Sequence, residues 1–416
     1  MRSRMRWAAS AALLSMVAAC GGVATGGGGS SGGGQQKGGD VLIGAPYPLT
    51  GIWAENGQNC VQGMQLAADE INAAGGIKAL GGAKVKIVTA DTSSNDPGQA
   101  KTVTAGLIND KKVSALVGSY LSSMTLTSVI AVEQGHIPMI SQSFVDKLTN
   151  SGYKYLFQIA PKASSFGTAT VKDLMAVFKD QGVPLKTIAI VDGDDASAKA
   201  QATAVADAAQ KQGLQVAANV TYPDGLTDAS AIVSQLAATH ADAIVGGGAL
   251  SDIALIIKGL RARGVMTPIA NPGGGGTLTP QFGPTLGSLA NGVMSTSAWN
   301  YDLKLPGVTA ANAAYQKKYN QPMPQEAGES WVAVHALAAA METTKSSDPQ
   351  AIRDQLAKAE FTTGPQSAMP PGKLAFDSTG ANKYVVPVLV QWQNGSLVTI
   401  YPSDVASAKP LPLHGG

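Results

Sequence analysis

The chain has 416 residues, more than one hydrophobic core usually fills, so we expect two domains. Charged residues make up 14% of the chain and the formal net charge is +2, with both signs well mixed, which argues against a nucleic-acid or polyanion-binding surface. Aromatic residues are few and small or β-branched residues are abundant, which favours an α/β protein with helices packed on parallel sheets.

Residues 1–19 have the layout of a secretory signal peptide. Three arginines precede a short apolar run from Trp7 to Ala18, which is too short to span a membrane comfortably. The run ends in Val-Ala-Ala followed by Cys20 and Gly21, which resembles the lipobox of bacterial lipoproteins. This resemblance implies a lipid on Cys20 that holds the mature chain on the outer face of the cytoplasmic membrane. Ordinary signal cleavage beside a chance cysteine is the alternative.

Residues 20–40 are almost wholly glycine, serine and other small or polar residues, so they predict a flexible linker. Such a coil has a root-mean-square reach on the order of 25 Å. The second cysteine, Cys60, has no partner for an intrachain disulfide once Cys20 carries lipid. We expect Cys60 to be a small, partly buried residue rather than a reactive thiol.

From residue 41 onward, short apolar runs alternate with longer amphipathic segments. The first series predicts strands over residues 41–45, 85–90, 115–118, 138–141 and 155–159, with helices over 58–74, 97–110 and 123–134. The second series predicts strands over residues 187–191, 215–220, 243–247 and 267–270, with helices over 166–180, 198–212, 229–238 and 253–262. Units of this kind indicate two doubly wound parallel sheets, whose ligands bind at the carboxyl ends of the strands.

Several ordered motifs carry a family resemblance. They are the segments 43–51 and 63–77, Asp91 with Asp96-Pro97, Val117-Gly118 with Ser122-Ser123, residues 137–141, and the closing segment 372–380. Together these motifs resemble the leucine/isoleucine/valine-binding family of ABC transporter substrate-binding lipoproteins. The resemblance extends from about Val41 to Tyr401.

The resemblance implies two doubly wound parallel-sheet lobes joined by a three-segment hinge, the type I periplasmic binding protein fold. Lobe 1 would comprise residues 41–160 and 298–371, and lobe 2 residues 161–297 and 372–416, with the last crossing near Pro371-Gly372. Lobes of this kind close by hinge motion around a small solute, which an ABC permease and its ATPase subunits then receive. We therefore expect a monomeric, extracytoplasmic binding protein without a cofactor.

The same resemblance selects candidate ligand-binding residues at the strand ends. Ser122 and Ser123 begin a helix whose N-terminus offers free N–H donors; for Ser123, capping of its own helix is the alternative. The other candidates are Trp53, Asn56, Ser143, Phe144, Phe166 and Asp194, with Trp299 and Tyr301 as further aromatic candidates. Aromatic rings with a few hydroxyls and amides indicate a pocket for a neutral or weakly acidic molecule.

Three positions depart from the pattern of amino-acid binders. Val145 stands where a threonine binds the ligand carboxylate, and the loop 271–276 lacks the carboxylate that pairs with the ligand ammonium. The tyrosine expected after Asp192 is also missing, although Asp192, Asp194 and Asp195 could replace the acid or form a solvated loop. The glycine runs 246–248 and 273–276 are interpreted as flexible turns in preference to ligand contacts. We therefore do not expect an ordinary aliphatic amino acid, and consider an amino acid-like, amide or urea-like, or aromatic acid solute.

The sequence gives little support for an enzymatic function. No glycine run continues as a phosphate loop or a dinucleotide fingerprint, and no Gly-x-Ser-x-Gly elbow occurs. The four histidines are far apart, and none has metal-ligand spacing with another histidine or a cysteine. Two other non-enzymatic roles stay open. A ligand sensor of the same fold would signal to a membrane or regulatory partner without transport, and a lipoprotein adhesin or scaffold would show no ligand-dependent change.

Overall fold

The computed structural model describes residues 39–413. The predicted signal peptide, Cys20 and residues 21–38 of the linker lie outside the described residues. Within them, two large sheets form, and each is surrounded by helices. We call the sheet that forms first along the chain, with its helices, the first lobe, and the other sheet with its helices the second lobe.

The first lobe contains a sheet of five parallel strands in the order β2-β1-β3-β4-β5. Its strands are β1 (Val41–Tyr47), β2 (Val85–Asp91), β3 (Ala115–Val117), β4 (Met139–Ser141) and β5 (Leu156–Gln158). The helices between them are α1 (Ala54–Ala73), α2 (Pro97–Asn109), α3 (Ser122–Gly135) and α4 (Lys147–Asn150). The strands β1, β3, β4 and β5 are almost entirely buried, as expected when helices cover both faces of a parallel sheet.

The second lobe continues the same winding. Its parallel strands are β6 (Thr187–Gly193), β7 (Gln215–Tyr222), β8 (Ala243–Gly246), β9 (Ile269–Asn271) and β10 (Met294–Ser297), and its helices are α5 (Ala163–Asp180), α6 (Ala196–Lys211), α7 (Ser230–Ala238), α8 (Leu250–Ala262) and α9 (Phe282–Leu286). After β10 the chain returns to the first lobe. There it forms α10 (Val308–Tyr319), α11 (Gln325–Thr344), α12 (Pro349–Leu356), β11 (Glu360–Phe361) and β12 (Leu374–Ala375).

The last part of the chain completes the second sheet. Strands β13 (Val388–Gln393) and β14 (Ser396–Tyr401) add antiparallel edges, which gives the order β14-β13-β10-β9-β8-β6-β7. Before this return, Ala381 pairs with Gln158 of β5 and Asn382 pairs with Phe376. Residues up to Asn382 therefore belong with the first sheet. The last crossover lies after Asn382, later than the expected Pro371-Gly372, because the segment 372–382 is held by β5 and β11.

Helix α11 packs along α1 and forms much of the first lobe's core. Gly63 of α1 lies so close that a Cβ atom there would come within 2.1 Å of the Ala327 carbonyl oxygen. Met64, Cys60 and Trp331 are buried around this contact. Burial raises the pKa of the Cys60 thiol well above its usual value, which agrees with the expectation of an unreactive thiol.

Candidate functional site

The carboxyl ends of the two sheets meet around a small cavity with a free volume of about 30 Å³. The first lobe contributes Trp53, Tyr120, Leu121 and Phe144 to its wall, and the second lobe contributes Asp192, Asp195, Ser197, Ala198, Gln201, Gly247, Gly248, Asn271, Gly273, Gly274 and Gly275. This volume holds little more than a water molecule or two. An organic solute therefore requires the lobes to move apart before they enclose it.

Aromatic rings form the first lobe's side of the cavity. Trp53 precedes α1, where its N–H donates to Ser94 Oγ at 3.2 Å. Its ring lies 6.1 Å from that of Tyr120, measured between centroids. Phe144 follows β4 and packs edge-on against Phe166 of the second lobe at 5.1 Å. These rings offer apolar area and π-faces to whatever lies between the lobes.

Carboxylates form part of the second lobe's side. Asp192, near the end of β6, is only 3% exposed, and its Oδ1 accepts a hydrogen bond from the Gly247 N–H at 3.0 Å. Its Oδ2 is buried without a hydrogen-bond partner among the described residues. Burial raises the pKa of Asp192 well above its usual range. Asp195 caps α6 by accepting from the N–H groups of Ser197 and Ala198, at 2.7 and 3.2 Å.

A third carboxylate links the lobes. Asp224 follows β7, and its Oδ2 accepts from Trp53 Nε1 at 3.3 Å. Burial, with a smaller contribution from the charge of Asp195, raises the pKa of Asp224 to about 6. The Asp252 carboxylate accepts from the N–H groups of Gly225 and Leu226, at 2.8 and 3.0 Å, and so fixes the loop that carries Asp224.

The glycine runs lie in the cavity wall. Gly274 has a φ of +67°, and a Cβ atom there would lie 2.6 Å from the Phe144 ring. The next residue, Gly275, donates its N–H to the Tyr120 hydroxyl at 3.0 Å, across the lobe boundary. A Cβ atom at Gly247 would meet the Asn271 side chain at 2.4 Å. These glycines allow close approach of the loops to each other and to the cavity, so the interpretation as flexible turns misses their role.

A buried polar network supports Tyr120 from behind. The Tyr120 hydroxyl accepts from Asn56 Nδ2 at 3.2 Å, and Asn56 Nδ2 also donates to Glu326 Oε1 at 3.1 Å. Asn59 donates to the same Glu326 oxygen at 3.1 Å. Burial raises the pKa of Glu326 to about 7. The network fixes the ring whose hydroxyl contacts Gly275.

The structure places the eight candidate residues in different environments. Trp53 and Phe144 line the cavity, whereas Asn56 and Phe166 lie behind its wall. Ser123 and the exposed Asp194 lie in a separate outer groove with Ile52 and Asp224. Of the two further aromatic candidates, Trp299 is fully buried and its Nε1 donates to the Ala368 carbonyl, and Tyr301 lines a groove near residues 319–324.

The two remaining serines are engaged by protein groups. Ser122 Oγ accepts from Ser197 Oγ of the second lobe at 2.7 Å and from the Val145 N–H at 3.4 Å. Ser143 Oγ lies 2.5 Å from Thr125 Oγ1 and donates to the Ser119 carbonyl at 2.8 Å. Neither serine is among the residues that line the cavity.

Five residues with polar side chains that line the cavity or bond across the lobe boundary were not predicted from the sequence: Tyr120, Ser197, Gln201, Asp224 and Asn271. The signal for Tyr120, Asp224 and Asn271 was available, since each follows a predicted strand. Gln201 gave no such signal, because it lies inside a predicted helix. The side chains of Gln201 and Asn271 mainly hold the glycine loop: Gln201 Nε2 donates to the Gly273 carbonyl at 2.9 Å, and Asn271 Nδ2 donates to that of Gly274. The described residues contain no histidine, cysteine and carboxylate cluster suited to a metal ion.

Comparison with known proteins identifies the family. A family model described as periplasmic binding protein matches residues 40–395. The chain belongs to the periplasmic binding protein family. The Leu/Ile/Val-binding protein homolog 8 of Brucella abortus (strain 2308) is 30% identical to this binding protein over 380 residues, which cover 89% of this chain and 92% of the relative.

Solved structures show the same fold. The branched-chain amino acid transporter substrate-binding protein LivJ of Streptococcus pneumoniae, solved with isoleucine, has a TM-score of 0.75 and 26% identity, covering 86% of this chain and 97% of LivJ. A solute-binding protein of R. palustris in complex with benzoate has a TM-score of 0.74 and 19% identity, covering 87% and 95%. These matches confirm the predicted α/β type I periplasmic binding protein fold with parallel-strand sheets.

This binding protein is therefore a periplasmic solute-binding protein of the branched-chain amino acid ABC transport type. Its relatives are solute-binding proteins rather than enzymes, and family membership implies an extracytoplasmic location. Between residues 39 and 413, every helix is too short or too polar to cross a bilayer.

Proposed function

We propose that this protein captures a small organic solute in the interlobe cavity by hinge closure and delivers it to the permease and ATPase subunits of an ABC importer. The observation that carries the proposal is that both lobes build the cavity wall and hydrogen-bond to each other around it. Hydrogen bonds join Trp53 to Asp224, Tyr120 to Gly275, and Ser122 to Ser197. Closure therefore makes specific contacts that opening breaks, as a transport protein that presents its loaded form to a permease requires.

The hydrogen-bonding groups of the cavity wall favour some of the solute classes considered from the sequence over others. Asp192 has a buried acceptor oxygen without a partner, so a solute with N–H donors gains a hydrogen bond there. Amino acid-like and amide or urea-like solutes carry such donors. An aromatic acid would instead place its ionised carboxylate, which has no N–H or O–H donor for the unpaired Asp192 oxygen, beside Asp192 and Asp195, and this disfavours it. The benzoate-bound structure supports only the fold at its identity of 19%.

Thermal-shift screening of the purified protein tests this proposal. The panel comprises amino acids, amides, ureas, aliphatic amines and aromatic acids. A compound that binds the native cavity must raise the melting temperature in a concentration-dependent way. If no compound of the panel shifts the melting temperature, solute capture is contradicted. Uptake of the strongest binder by cells that carry the transporter genes, and its loss on deletion, then separates import from sensing without transport.

We further propose that lipid on Cys20 anchors the protein and that it acts as a monomer. The anchor rests on the lipobox-like sequence before Gly21 and on the glycine-rich segment that follows. Replacing Cys20→Ser is expected to move the protein from the membrane fraction to the soluble extracytoplasmic fraction. Unchanged membrane association of this variant would contradict the anchor, and light scattering of the purified protein checks the monomer.

A further inference from the structure

Asp192 presents a carboxyl group with one unsatisfied oxygen at the cavity. The residue is 3% exposed, one carboxylate oxygen is held by the Gly247 N–H, and the other is buried without a partner. A buried carboxylate is costly unless it is protonated or paired with a positive group. No lysine, arginine or histidine is among the residues that line the cavity. The protein itself supplies no cation there, so Asp192 stays protonated unless a bound solute brings a positive group.

Neighbouring carboxylates add to the negative potential. Asp195 lies in the cavity wall, and its Oδ1 is already used to cap α6. Asp224 contacts Trp53 at the edge of the wall, and its Oδ1 is buried without a partner among the described residues. A carboxylate on the solute would have to enter this field without a cation to balance it, which is unfavourable at short range in a buried site.

The side chains that would bind a solute carboxylate lie outside the cavity wall or bond to the protein. Ser122 lies at the start of α3, where a helix N-terminus would favour an anion, but its hydroxyl oxygen accepts from Ser197 of the second lobe at 2.7 Å and it is not among the residues that line the cavity. Ser143 bonds within the first lobe, and Val145 carries no hydrogen-bonding side chain. The side-chain amides of Gln201 and Asn271 donate to backbone carbonyls of the glycine loop.

One side-chain donor remains in the wall. The Tyr120 hydroxyl accepts from Asn56 and Gly275, which leaves its own proton as a single hydrogen-bond donor for a solute. The residues Trp53, Tyr120 and Phe144 line the same space. Aromatic faces attract cations through the ring quadrupole, and the attraction is strongest where water is excluded.

From these observations we infer that the solute is a cation without an acid group: a small aliphatic amine bound as its ammonium ion. Its N–H groups donate to Asp192 Oδ2, and its alkyl part lies against the rings of Trp53 and Phe144. This inference rests on the proposed solute-binding function and refines it. It differs from capture of a zwitterionic amino acid, because the described cavity wall offers a solute carboxylate no cation and only the Tyr120 hydroxyl as a free side-chain donor.

Three compounds with one hydrocarbon skeleton test this inference by isothermal titration calorimetry on the purified protein. Isopentylamine is leucine without its carboxylate, isopentanol is the neutral counterpart, and leucine is the zwitterion. We expect isopentylamine to bind at least tenfold more tightly than leucine and isopentanol. If leucine or any other acid-bearing compound binds more tightly, this inference is overturned while the proposed function stands; if no compound of the wider panel binds, both fail.

A pair of variants locates the ammonium ion. Asp192→Asn keeps the acceptor for the Gly247 N–H but removes the charge, so isopentylamine affinity should fall at least tenfold. Asp207→Asn, on the exposed face of α6, is the matched control and should bind isopentylamine like the wild type. Circular dichroism and the melting temperature check that both variants fold. Unchanged isopentylamine affinity in folded Asp192→Asn would overturn the inference.

Discussion

Single hydrogen bonds across the lobe boundary set how firmly the closed form holds. The bond from Ser197 Oγ to Ser122 Oγ is 2.7 Å long, buried, and formed between α6 and the start of α3. The bond from Trp53 Nε1 to Asp224 is longer, at 3.3 Å, and lies nearer the cleft edge. A buried bond of this kind contributes about 0.5–1.5 kcal/mol. Because an open cleft separates its partners, that contribution stabilises the closed form only.

Replacing Ser197→Ala should weaken solute binding without unfolding the protein. The variant loses the donor to Ser122 only in the closed form, so the affinity for the best compound of the thermal-shift panel should fall about two- to tenfold. Calorimetry measures the affinity. Ser347→Ala, at an exposed position before α12, is the control. Equal affinities in the two variants would show that the bond between Ser197 and Ser122 does not stabilise closure.

At the scale of elements, glycines decide how closely segments approach each other. The loop after β9 passes Phe144 at Gly274, and α1 passes α11 at Gly63. The first contact joins the lobes, whereas the second lies inside the first lobe. We therefore expect a methyl group at Gly274 to impair binding and one at Gly63 to impair folding.

Gly274→Ala should reduce solute affinity at least tenfold. Its Cβ would lie 2.6 Å from the Phe144 ring, so the lobes could not close fully. Gly264→Ala is the matched control, because Gly264 has a similar φ of +74° but open space around its Cβ position. Both variants carry the cost of a left-handed alanine, about 1–2 kcal/mol. Calorimetry that finds the same loss of affinity in both would assign the effect to backbone strain and contradict the steric account.

Gly63→Ala should lower the free energy of unfolding by about 1–3 kcal/mol, because its methyl group overlaps the Ala327 backbone. Gly106→Ala, in α2, meets only the Asp110 side chain at 3.7 Å. That control should leave stability unchanged or raise it by about 0.5–1 kcal/mol, since alanine is the better helix former. Urea denaturation measures both. An unchanged midpoint for Gly63→Ala would contradict the packing of α1 on α11.

Some elements of this fold were predicted from the sequence and others were not. Strands β1 to β9 were predicted because buried apolar runs alternate with amphipathic helices, and most of these boundaries lie within a few residues of those observed. Strands β10, β13 and β14 of the second sheet were not predicted. Helix α11 was not predicted, because it is buried on nearly every side and so lacks an amphipathic pattern. In the site, Trp53 and Phe144 were found because they follow strands. The contact of Ser197 with Ser122 was not, since no local pattern records which residues of two lobes meet.

At the scale of the whole molecule, buried acids make stability depend on pH. The pKa of Glu326 is raised from its usual 4.5 to about 7 by burial. A carboxyl group with a raised pKa binds its proton more tightly in the folded protein than in the unfolded chain. Its effect on stability is therefore absent at low pH and becomes destabilising as the pH rises from about 4.5 to about 7.

Glu326→Gln should flatten this part of the pH profile. The amide oxygen still accepts from Asn56 and Asn59 but never ionises. The melting temperature of the variant relative to the wild type should therefore rise between pH 4.5 and pH 7. Glu360→Gln, at an exposed position, is the control. A difference between Glu326→Gln and wild type that stays constant over this range would contradict a buried, titrating Glu326.

Closure around a solute is the central claim, and a distance measured across the cleft tests it most directly. Spin labels at the exposed positions Lys101→Cys in α2 and Lys199→Cys in α6 report the separation of the lobes. The background carries Cys20→Ser, and the remaining cysteine, Cys60, is fully buried and so is not labelled. Adding the best compound of the thermal-shift panel should replace a broad distribution of distances between the labels by a narrower one centred on a shorter distance. Saturating binding that leaves the distribution unchanged would contradict the account.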